Sequence, residues 1–381
     1  CTPSGIAALH DNSDKTYAAE HAINGMYYDN LEHLGYAVPE SFGLKNFKNT
    51  ADIEINILRW WQHRIFRNSG VSADGTEIYL DADWLTSLQS TAYADRISWL
   101  ENAYEFIDQP GEWYLNRSES KLYYKPDGSM DGKSATLPVT EQLLVFEGTE
   151  NITFDGVKFE DTSWLTPNEI GYNDAQSGTY AQHNGVWGDV PGAIETHAAK
   201  NIAITNSELR NLGIGGIRIG NGSSDCAITN SAIHDISSSG IFIGNNTGHN
   251  HGYCDPGTDV TGVVVRNNYI TRTGLDIFGS SAICALYTSD TVIDHNEVCY
   301  TTYTGISLGW GWDWKNAPCS GNNTVSNNYI HDTGKTIHDG GSFYSLGLQE
   351  GTKVFGNYLH HHSDGLYDKD GGLYTDEGST G

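Results

Sequence analysis

The sequence predicts an all-β protein, a right-handed parallel β-helix with an N-terminal β-rich region and long loop insertions. The first observation is a phrase that occurs six times between residues 202 and 359: a β-branched apolar residue, then Ser or Asn three positions later, then an aliphatic residue two positions further on. The Ser or Asn positions are 24, 37, 28, 32 and 29 residues apart, which indicates stacked coils with loops of varying length. The six triplets are Ile204/Ser207/Leu209, Ile228/Ser231/Ile233, Val265/Asn268/Ile270, Ile293/Asn296/Val298, Val325/Asn328/Ile330 and Val354/Asn357/Leu359.

The polar position of the phrase is the second observation. Alternating apolar residues predict strands, and the three-residue step to the Ser or Asn breaks the period of two and predicts a corner. Coils that stack as parallel strands, about 4.8 Å apart, place these residues in one internal column where amides bond along the stack. The alternative, an antiparallel sandwich, needs hairpin turns and gives no reason for one polar column.

A further set of short strands in the same units is the third observation. These strands align as one sheet whose side chains alternate between the inside and the outside of the coil. The inward residues are Ile217, Ile241, Ile306, Phe343 and Leu373, and the outward residues are Arg218, Phe242, Ser307, Tyr344 and Tyr374. Because the outward row becomes aromatic toward the C-terminus, we expect a ligand there.

The first 150 residues differ from the repeats, so we divide the chain into residues 1–150, packed on or continuous with the helix, and the β-helix of residues 151–381. Ile53, Ile55 and Ile57 alternate and are expected to begin the same sheet system, while residues 85–105 are expected to be helical or loop-like. Residues 111–126 predict a hairpin with a short polar turn. A long insertion is expected between Trp164 and Glu195.

Composition favours an elongated extracellular protein. The chain has 48 Asp and Glu against 21 Lys and Arg, and its formal net charge of −27 argues against nucleic acid or an anionic membrane as a partner. No apolar stretch of about 18 residues could span a bilayer. Secretion is therefore expected, with a polysaccharide or oligosaccharide as the partner.

Cysteines and sequons bear on the same expectation. The six cysteines lack zinc-ribbon spacing, so disulfides in an oxidising compartment are favoured over a metal site, and no metal or cofactor is predicted. Asn-X-Ser/Thr triplets suit a glycoprotein. The cysteines are Cys1, Cys226, Cys254, Cys284, Cys299 and Cys319, and the sequon residues are Asn116, Asn151, Asn221, Asn245 and Asn322.

Several short motifs, taken together and in order over residues 95–381, make the chain resemble carbohydrate-active β-helix proteins, most closely glycoside hydrolase family 141. The resemblance implies hydrolysis of plant or algal polysaccharide, because α-fucosidases and xylanases are attached to this family. The motifs are Pro110-Gly111-Glu112-Trp113-Tyr114-Leu115, Leu122-Tyr123-Tyr124-Lys125-Pro126, Gly171-Tyr172, Gln176-Ser177-Gly178, residues 303–312, Asp339-Gly340-Gly341-Ser342-Phe343-Tyr344, Gly365-Leu366-Tyr367 and residues 372–379.

Two carboxylates on neighbouring coils are the candidate catalytic pair. Glycosidases generally need two carboxyl groups, about 5 Å apart for retention and about 6.5–9.5 Å apart for inversion. Asp339 opens one aromatic strand and Asp376 closes the next, and the family resemblance points to the same two positions. Glu377 is the substitute if Asp376 faces elsewhere. The competing interpretation is that these acids are ordinary corner residues, since Asp before Gly is a common turn pair.

Aromatic side chains near these acids are the candidate sugar-binding residues. Trp310 and Trp312 form an aromatic loop on which sugars could stack, and Tyr344 and Tyr374 could line the site. His338, beside Asp339, could hold a substrate hydroxyl. The alternative for the tryptophans is packing over the side of the helix.

Two rival functions remain at this point. A polysaccharide lyase is less favoured, because lyases on this fold need basic residues and a uronic acid substrate that a charge of −27 would repel. The other rival is an extracellular structural or adhesive glycoprotein without activity. Since the resemblance leads us to expect further coils beyond the chain, it is either a fragment or a stack with open strand edges, and open edges could pair end to end into filaments.

Overall fold

The computed structural model describes residues 22–23, 26–28, 34–80, 98–181, 187–244, 257–311, 319–363 and 371–380. Most of the described chain forms successive coils, and each coil contributes one strand to each of three parallel sheets. The predicted right-handed parallel β-helix is confirmed. No helix in these ranges is long and apolar enough to cross a membrane.

The three parallel sheets are named here sheets 1, 2 and 3 in the order in which a coil visits them. Sheet 1 contains β10 (Leu144–Glu147), β16 (Gly192–His197), β19 (Gly215–Ile219), β22 (Ile241–Ile243), β26 (Ile283–Ala285), β30 (Ile306–Leu308), β33 (Gly341–Ser345) and β36 (Gly371–Thr375). Sheet 2 contains β11 (Glu150–Asp155), β17 (Lys200–Thr205), β20 (Ala227–Thr229), β24 (Val264–Arg266), β28 (Val292–Asp294), β31 (Thr324–Ser326) and β34 (Lys353–Phe355). Sheet 3 contains β12 (Lys158–Thr162), β18 (Glu208–Leu212), β21 (Ala232–Ile236), β25 (Tyr269–Thr273), β29 (Glu297–Cys299), β32 (Tyr329–Thr333) and β35 (Tyr358–His362). A short parallel pair joins β23 (Val260–Thr261) and β27 (Thr288–Ser289).

The repeated phrase occupies equivalent positions in every coil. Its first aliphatic residues pair in register along sheet 2 and its last aliphatic residues pair along sheet 3. These side chains fill the interior, as Ile293 and Val298 illustrate, both of which are fully buried. Burial of such a side chain stabilises the fold by about 1.5–3 kcal/mol. The period of the sequence is therefore the period of the core.

The predicted polar column is an amide ladder at the corner between sheets 2 and 3. The side-chain amide of Asn268 donates to Asn296 Oδ1 at 3.0 Å, Asn296 donates to Asn328 Oδ1 at 2.9 Å, and Asn328 donates to Asn357 Oδ1 at 2.9 Å. Each amide also donates to a backbone carbonyl of the preceding coil, as Asn296 does to Val265 at 3.0 Å. The ladder thus satisfies the backbone groups that the corner leaves unpaired.

The N-terminal region forms a separate antiparallel sheet, so the expectation that Ile53, Ile55 and Ile57 begin the same sheet system is wrong. These residues belong to their own core with Phe66 and Leu100. Alternation alone does not distinguish strands that pair with the helix from strands that pair with each other. The strands are β1 (Ala22–Ile23), β2 (Met26–Tyr28), β3 (Leu34–Ala37), β4 (Glu54–Arg59), β5 (Gln62–Val71), β6 (Glu77–Leu80) and β7 (Trp99–Glu101), with 3-10 turns at Glu40–Phe42, Leu44–Asn46, Thr50–Asp52 and Tyr104–Phe106.

The hairpin predicted at residues 111–126 is present as β8 (Trp113–Asn116) and β9 (Lys121–Tyr124), which pair antiparallel. Residues 85–105 were predicted to be helical or loop-like; residues 85–97 lie outside the described residues, and the prediction is wrong at Trp99–Glu101, which form strand β7. The first coil of the helix begins with β10 at Leu144, a few residues before the expected boundary.

The insertion between Trp164 and Glu195 completes the antiparallel sheet. It contains a short helix, α1 (Thr166–Ile170), and strands β13 (Tyr172–Gln176), β14 (Thr179–Ala181) and β15 (Trp187–Asp189). Strand β13 pairs with β5 of the N-terminal region. Two segments more than 100 residues apart therefore build one sheet, which we call the insertion sheet, and this sheet is covalently joined to the helix at both ends of β13–β15.

A buried carboxyl group connects the insertion sheet to the helix. Asp174 accepts a hydrogen bond from the His63 backbone N–H at 3.0 Å and packs so tightly on Gly279 that a Cβ there would lie 1.7 Å from Asp174 Oδ2. Burial raises the pKa of Asp174 to about 7, and burial lowers the pKa of the neighbouring His63 to about 3. Both groups therefore favour their uncharged forms in the folded protein.

We expect the Asp174→Asn variant to become more stable relative to the parent as pH rises. Because the folded-state pKa of Asp174 is raised, its contribution to stability is complete below about pH 4 and is lost as pH rises through about 7. The amide has no such loss, so the difference in unfolding free energy should grow by roughly 2 kcal/mol between pH 5 and pH 8. Melting temperatures of both proteins at the two pH values provide the measurement. A difference that stays constant with pH would contradict the assignment.

The cysteines and sequons agree only in part with the expected disulfide-bonded glycoprotein. Cys226, Cys284 and Cys299 are free and buried, and Cys319 is disulfide-bonded. Cys1 and Cys254 lie outside the described residues. Asn116 is only 4% exposed, so a glycan at this sequon is excluded by its burial. The sequon residues Asn151, Asn221 and Asn322 are exposed, and Asn245 lies outside the described residues.

Candidate active site

The outward row of sheet 1 is formed as predicted, but most of it is covered. Register pairs the row coil by coil, and it includes Cys284, which the sequence analysis did not place. The tip of the β13–β14 hairpin lies on its middle, where Ser177 Oγ is 3.0 Å from Ser281 Oγ and 3.5 Å from Ser307 Oγ. Phe242 is only 3% exposed. Tyr374, at the end of the row nearest the C-terminus, remains half-exposed, as does Arg218 at the other end.

Two tyrosines at that end bring the predicted carboxylates into one site. Tyr344 and Tyr374 pair in register, and their rings meet edge to face with centroids 5.4 Å apart. The Tyr344 hydroxyl donates to Asp376 Oδ2 at 2.5 Å, and the Tyr374 hydroxyl donates to Asp339 Oδ1 at 3.0 Å. The tyrosine of each coil thus donates to the aspartate of the other coil. The juxtaposition of Asp339 and Asp376 therefore follows from the stacking of the two coils.

Local backbone geometry explains the position of Asp339. Its φ is +62°, in the left-handed region that Asp tolerates better than most residues. The two glycines that follow are required by space: a Cβ on Gly340 would lie 2.6 Å from Thr304 Oγ1, and a Cβ on Gly341 would lie 2.6 Å from the Phe343 carbonyl oxygen. The Asp-Gly-Gly motif therefore forms a tightly packed turn that leads into β33.

Asp376 is placed by the turn that follows β36. Its N–H donates to the Ser345 carbonyl at 2.9 Å, and its own carbonyl accepts from the Ser379 N–H at 3.0 Å. The side chain is half-buried, whereas Glu377 is exposed and accepts the Gly347 N–H through its backbone carbonyl at 3.2 Å. Asp376 therefore faces the tyrosine pair, and Glu377 remains the substitute candidate only.

The hydroxyl groups of Tyr344 and Tyr374 stay protonated and act as hydrogen-bond donors. Burial, then the charges of the neighbouring Tyr303 and Asp376, raises the pKa of Tyr344 far above its ordinary value. Burial, then the charges of Asp376 and Asp339, raises the pKa of Tyr374 as well. A neutral phenol donates one hydrogen bond, and both donors are directed at carboxylate oxygens. Each carboxylate therefore has one oxygen anchored.

The insertion sheet contributes residues to the same site. Gln176 at the end of β13 donates from Nε2 to the Tyr303 hydroxyl at 3.3 Å, and that hydroxyl donates to the Asp339 carbonyl at 2.9 Å. The resulting chain of contacts connects the insertion to the backbone of a candidate catalytic residue. In the sequence Gln176 is recognisable only as part of a short motif, and nothing local indicates that it reaches Tyr303.

Trp60 is the aromatic residue that sequence analysis missed. It lies at the turn between β4 and β5, is 49% exposed, and its carbonyl accepts the His338 N–H at 2.7 Å. The turn that carries Trp60 therefore docks on the residue that precedes Asp339. The only signal in the sequence was the pair Trp60-Trp61 after an alternating strand, which does not indicate where the turn docks.

The predicted tryptophan platform needs correction. Trp310 is 3% exposed and packs in a cluster with Phe242, Leu286, Tyr344 and others, so its ring offers no free face to a sugar. The packing alternative considered for this residue is the one observed. Trp312 lies outside the described residues. Tyr344 is likewise buried, at 1% exposure, and contacts the site through its hydroxyl, whereas Tyr374 and His338 are half-buried.

Comparisons with known proteins agree with the fold and with the family resemblance. Residues 192–380 match the family model of the right handed beta helix region, and residues 15–127 match that of the GH141 insertion domain. A solved structure named "Glycoside hydrolase" superposes with a TM-score of 0.77 at 24% identity, covering 94% of this chain and 69% of that chain.

Other solved structures match the chain more weakly. The complex of XylC with xylose has a TM-score of 0.41 at 12% identity and covers 92% of this chain and 56% of its own. The Dettilon tailspike protein has a TM-score of 0.42 at 17% identity and covers 62% and 39%. No curated protein matches the chain.

The match to the GH141 insertion domain contains strands β1–β7 of the insertion sheet. The match to the β-helix region contains most of the stacked coils. The resemblance drawn from the motifs around Asp339 and Asp376 points to the same group of proteins. The chain is a right-handed parallel β-helix protein, and its N-terminal region is similar to the insertion domain of glycoside hydrolase family 141.

Proposed function

We propose that the chain is a secreted glycoside hydrolase that cleaves a neutral plant or algal polysaccharide with Asp339 and Asp376 as its carboxyl pair. The observation that carries the proposal is the anchoring of both carboxylates by one pair of contacting tyrosines. An ordinary corner aspartate needs no phenol donor from the neighbouring coil, and here both acids have one.

The arrangement suits the two roles that glycoside hydrolysis requires. One carboxylic acid protonates the leaving oxygen, and the other carboxylate either activates a water or attacks the anomeric carbon. The hydrogen bonds from Tyr344 and Tyr374 orient the two carboxyl groups before substrate binds, so less conformational freedom is lost in reaching the transition state. Trp60 is an exposed aromatic residue on the turn that docks on His338, and we propose that a sugar stacks on its ring.

A neutral substrate fits the charge of the chain. The net charge of −27 repels the polyanionic, uronic acid glycans on which a lyase acts. Hydrolysis of a neutral glycan is therefore favoured over elimination.

The test is sugar release from a panel of neutral plant and algal glycans by the purified chain. A released sugar whose anomeric form is followed by NMR identifies both the activity and its stereochemical course. The Asp339→Asn/Asp376→Asn double variant should be inactive, and Glu350→Gln, which changes an exposed acid that pairs with Gly321 in the preceding coil, should be fully active. Lack of release from every glycan, together with large assemblies seen by electron microscopy, would favour the structural glycoprotein instead.

Replacing Tyr344 by Phe is expected to lower kcat by about 10- to 100-fold with little change in KM. The ring and its edge-to-face contact remain, but Asp376 loses a hydrogen bond to a charged group, a loss of about 1.5–3 kcal/mol. Steady-state kinetics on the best glycan measure the effect. Tyr329→Phe on sheet 3 is the control, because its hydroxyl contacts His360 rather than the site. An unchanged kcat for Tyr344→Phe would argue against a role for Asp376 in the catalysed reaction.

A further inference from the structure

Three residues with metal-binding side chains meet on the outer face of sheet 3, away from the tyrosine pair. Glu297 and Cys299 are two apart on β29 and share a face, and His331 on β32 pairs in register with Cys299. One ligand atom of each residue lies within 4.8 Å of the other two. Cys299 is a free thiol, 1% exposed, and His331 is 9% exposed. The sequence analysis, which examined only spacing along the chain, predicted no such site.

We propose that Glu297, Cys299 and His331 bind a single Zn²⁺ ion that joins two neighbouring coils. Thiolate, imidazole and carboxylate form a borderline-soft ligand set that favours Zn²⁺ over Mg²⁺ or Ca²⁺. Water completes the tetrahedron from the side of Glu297, which is half-exposed. On binding, the Cys299 thiol loses its proton to solvent, and the sulfur becomes the ligand.

The distances require only small movements. Bond lengths of about 2.0–2.3 Å to zinc place tetrahedral ligand atoms about 3.3–3.8 Å apart. Glu297 Oε1 and His331 Nε2 already lie 3.4 Å apart. Rotation of the Glu297 and Cys299 side chains brings the sulfur into the same range.

The surroundings of His331 fix the ring in the orientation that ligation needs. Its Nδ1 lies 2.8 Å from Asp332 Oδ2, which leaves Nε2 facing Glu297. Tyr329 stacks on one side with centroids 4.3 Å apart, and His360 stacks with centroids 5.2 Å apart. A carboxylate behind the imidazole is the usual support of a zinc-bound histidine.

The repeat supplies an internal comparison that isolates the role of the thiol. Three coils earlier in sheet 3, His234 lies 3.2 Å from Glu208 and 2.7 Å from Asp235, as His331 lies beside Glu297 and Asp332. There, however, the position equivalent to Cys299 is Arg210, whose register partner is His234. The Arg210 guanidinium lies next to Glu208, neutralises its charge and excludes a cation. His234 therefore belongs to an ion pair, whereas His331 belongs to the proposed zinc site.

The experiment uses the full chain after treatment with a chelator, with Co²⁺ as the spectroscopic probe and Zn²⁺ as the competitor. We expect one equivalent of Co²⁺ to give a thiolate-to-cobalt charge-transfer absorption with tetrahedral ligand-field bands, and Zn²⁺ to abolish both. Cys299→Ser should remove the charge-transfer absorption, and His331→Gln should weaken binding at least 10-fold. The melting temperature of the parent, but not of Cys299→Ser, should rise with added Zn²⁺.

Two control variants keep the result unambiguous. His234→Gln removes a histidine that also lies beside a Glu and an Asp but has Arg210 in place of the thiol, and Cys226→Ser removes another buried free thiol, so both should keep the absorption. Absence of the charge-transfer absorption in the parent, or its survival in Cys299→Ser, would overturn the proposal. If Cys299→Ser fails to fold, His331→Gln and Glu297→Gln decide the question, because both should weaken binding of Co²⁺. None of these readouts depends on glycan hydrolysis.

Discussion

Replacement of Asp339 or Asp376 by Asn is expected to lower kcat/KM on a glycan substrate by about 10²–10⁴-fold, the range that a general acid or base contributes. The amide keeps the size of the carboxyl group and can still accept the phenol hydrogen bond from Tyr374 or Tyr344. The fold should therefore be retained, because the substitutions leave β33 and β36 and their packing unchanged. Equal melting temperatures of parent and variants provide the check on folding.

The same two variants assign the roles of the two carboxyl groups. Loss of the general acid is largely masked on an aryl glycoside, because its phenolate leaves without protonation, whereas loss of the nucleophile or base is not. The variant that recovers activity on such a substrate thus lacks the acid. Azide rescue with a change in anomeric configuration would identify the nucleophile of a retaining enzyme. Full activity of both variants would remove this pair from the mechanism, and Glu377→Gln would then be tested.

Replacement of Asn296 by Ala is expected to lower the unfolding free energy by about 3–5 kcal/mol. Asn296 receives the backbone N–H and the side-chain amide of Asn268, each at 3.0 Å, and donates to the Val265 carbonyl and to Asn328. Its removal leaves buried backbone groups without partners, and each such group costs about 1–3 kcal/mol. Urea-induced unfolding followed by far-UV circular dichroism measures the loss.

Asn357→Ala is the matched control for the ladder. Asn357 makes the same contacts to Asn328 and to the Val325 carbonyl, but it is half-buried, so water can replace it. We expect its replacement to cost clearly less than that of Asn296. Equal losses at both positions would show that burial of the ladder is not the source of its stabilising effect.

The sequence alone determined the coil and its interior. A core that repeats with each coil requires core residues that repeat in the sequence with the same period, so the aliphatic pairs and the Asn column could be predicted. The inward position of Phe343 and the outward position of Tyr344 followed from the alternation along their strand. The motifs at Asp339 and Asp376 were also recognisable, since both are short and local.

The tertiary structure decided which distant segments meet. Nothing local indicates that β13 pairs with β5, that Trp60 docks beside His338, or that Trp310 turns into a packed cluster. These contacts join residues separated by more than 100 positions or depend on what covers a face, and alternation is the same for a covered and an open strand. The crossed tyrosine and aspartate contacts and the Glu297, Cys299 and His331 cluster likewise arise only when coils of unequal length come into register.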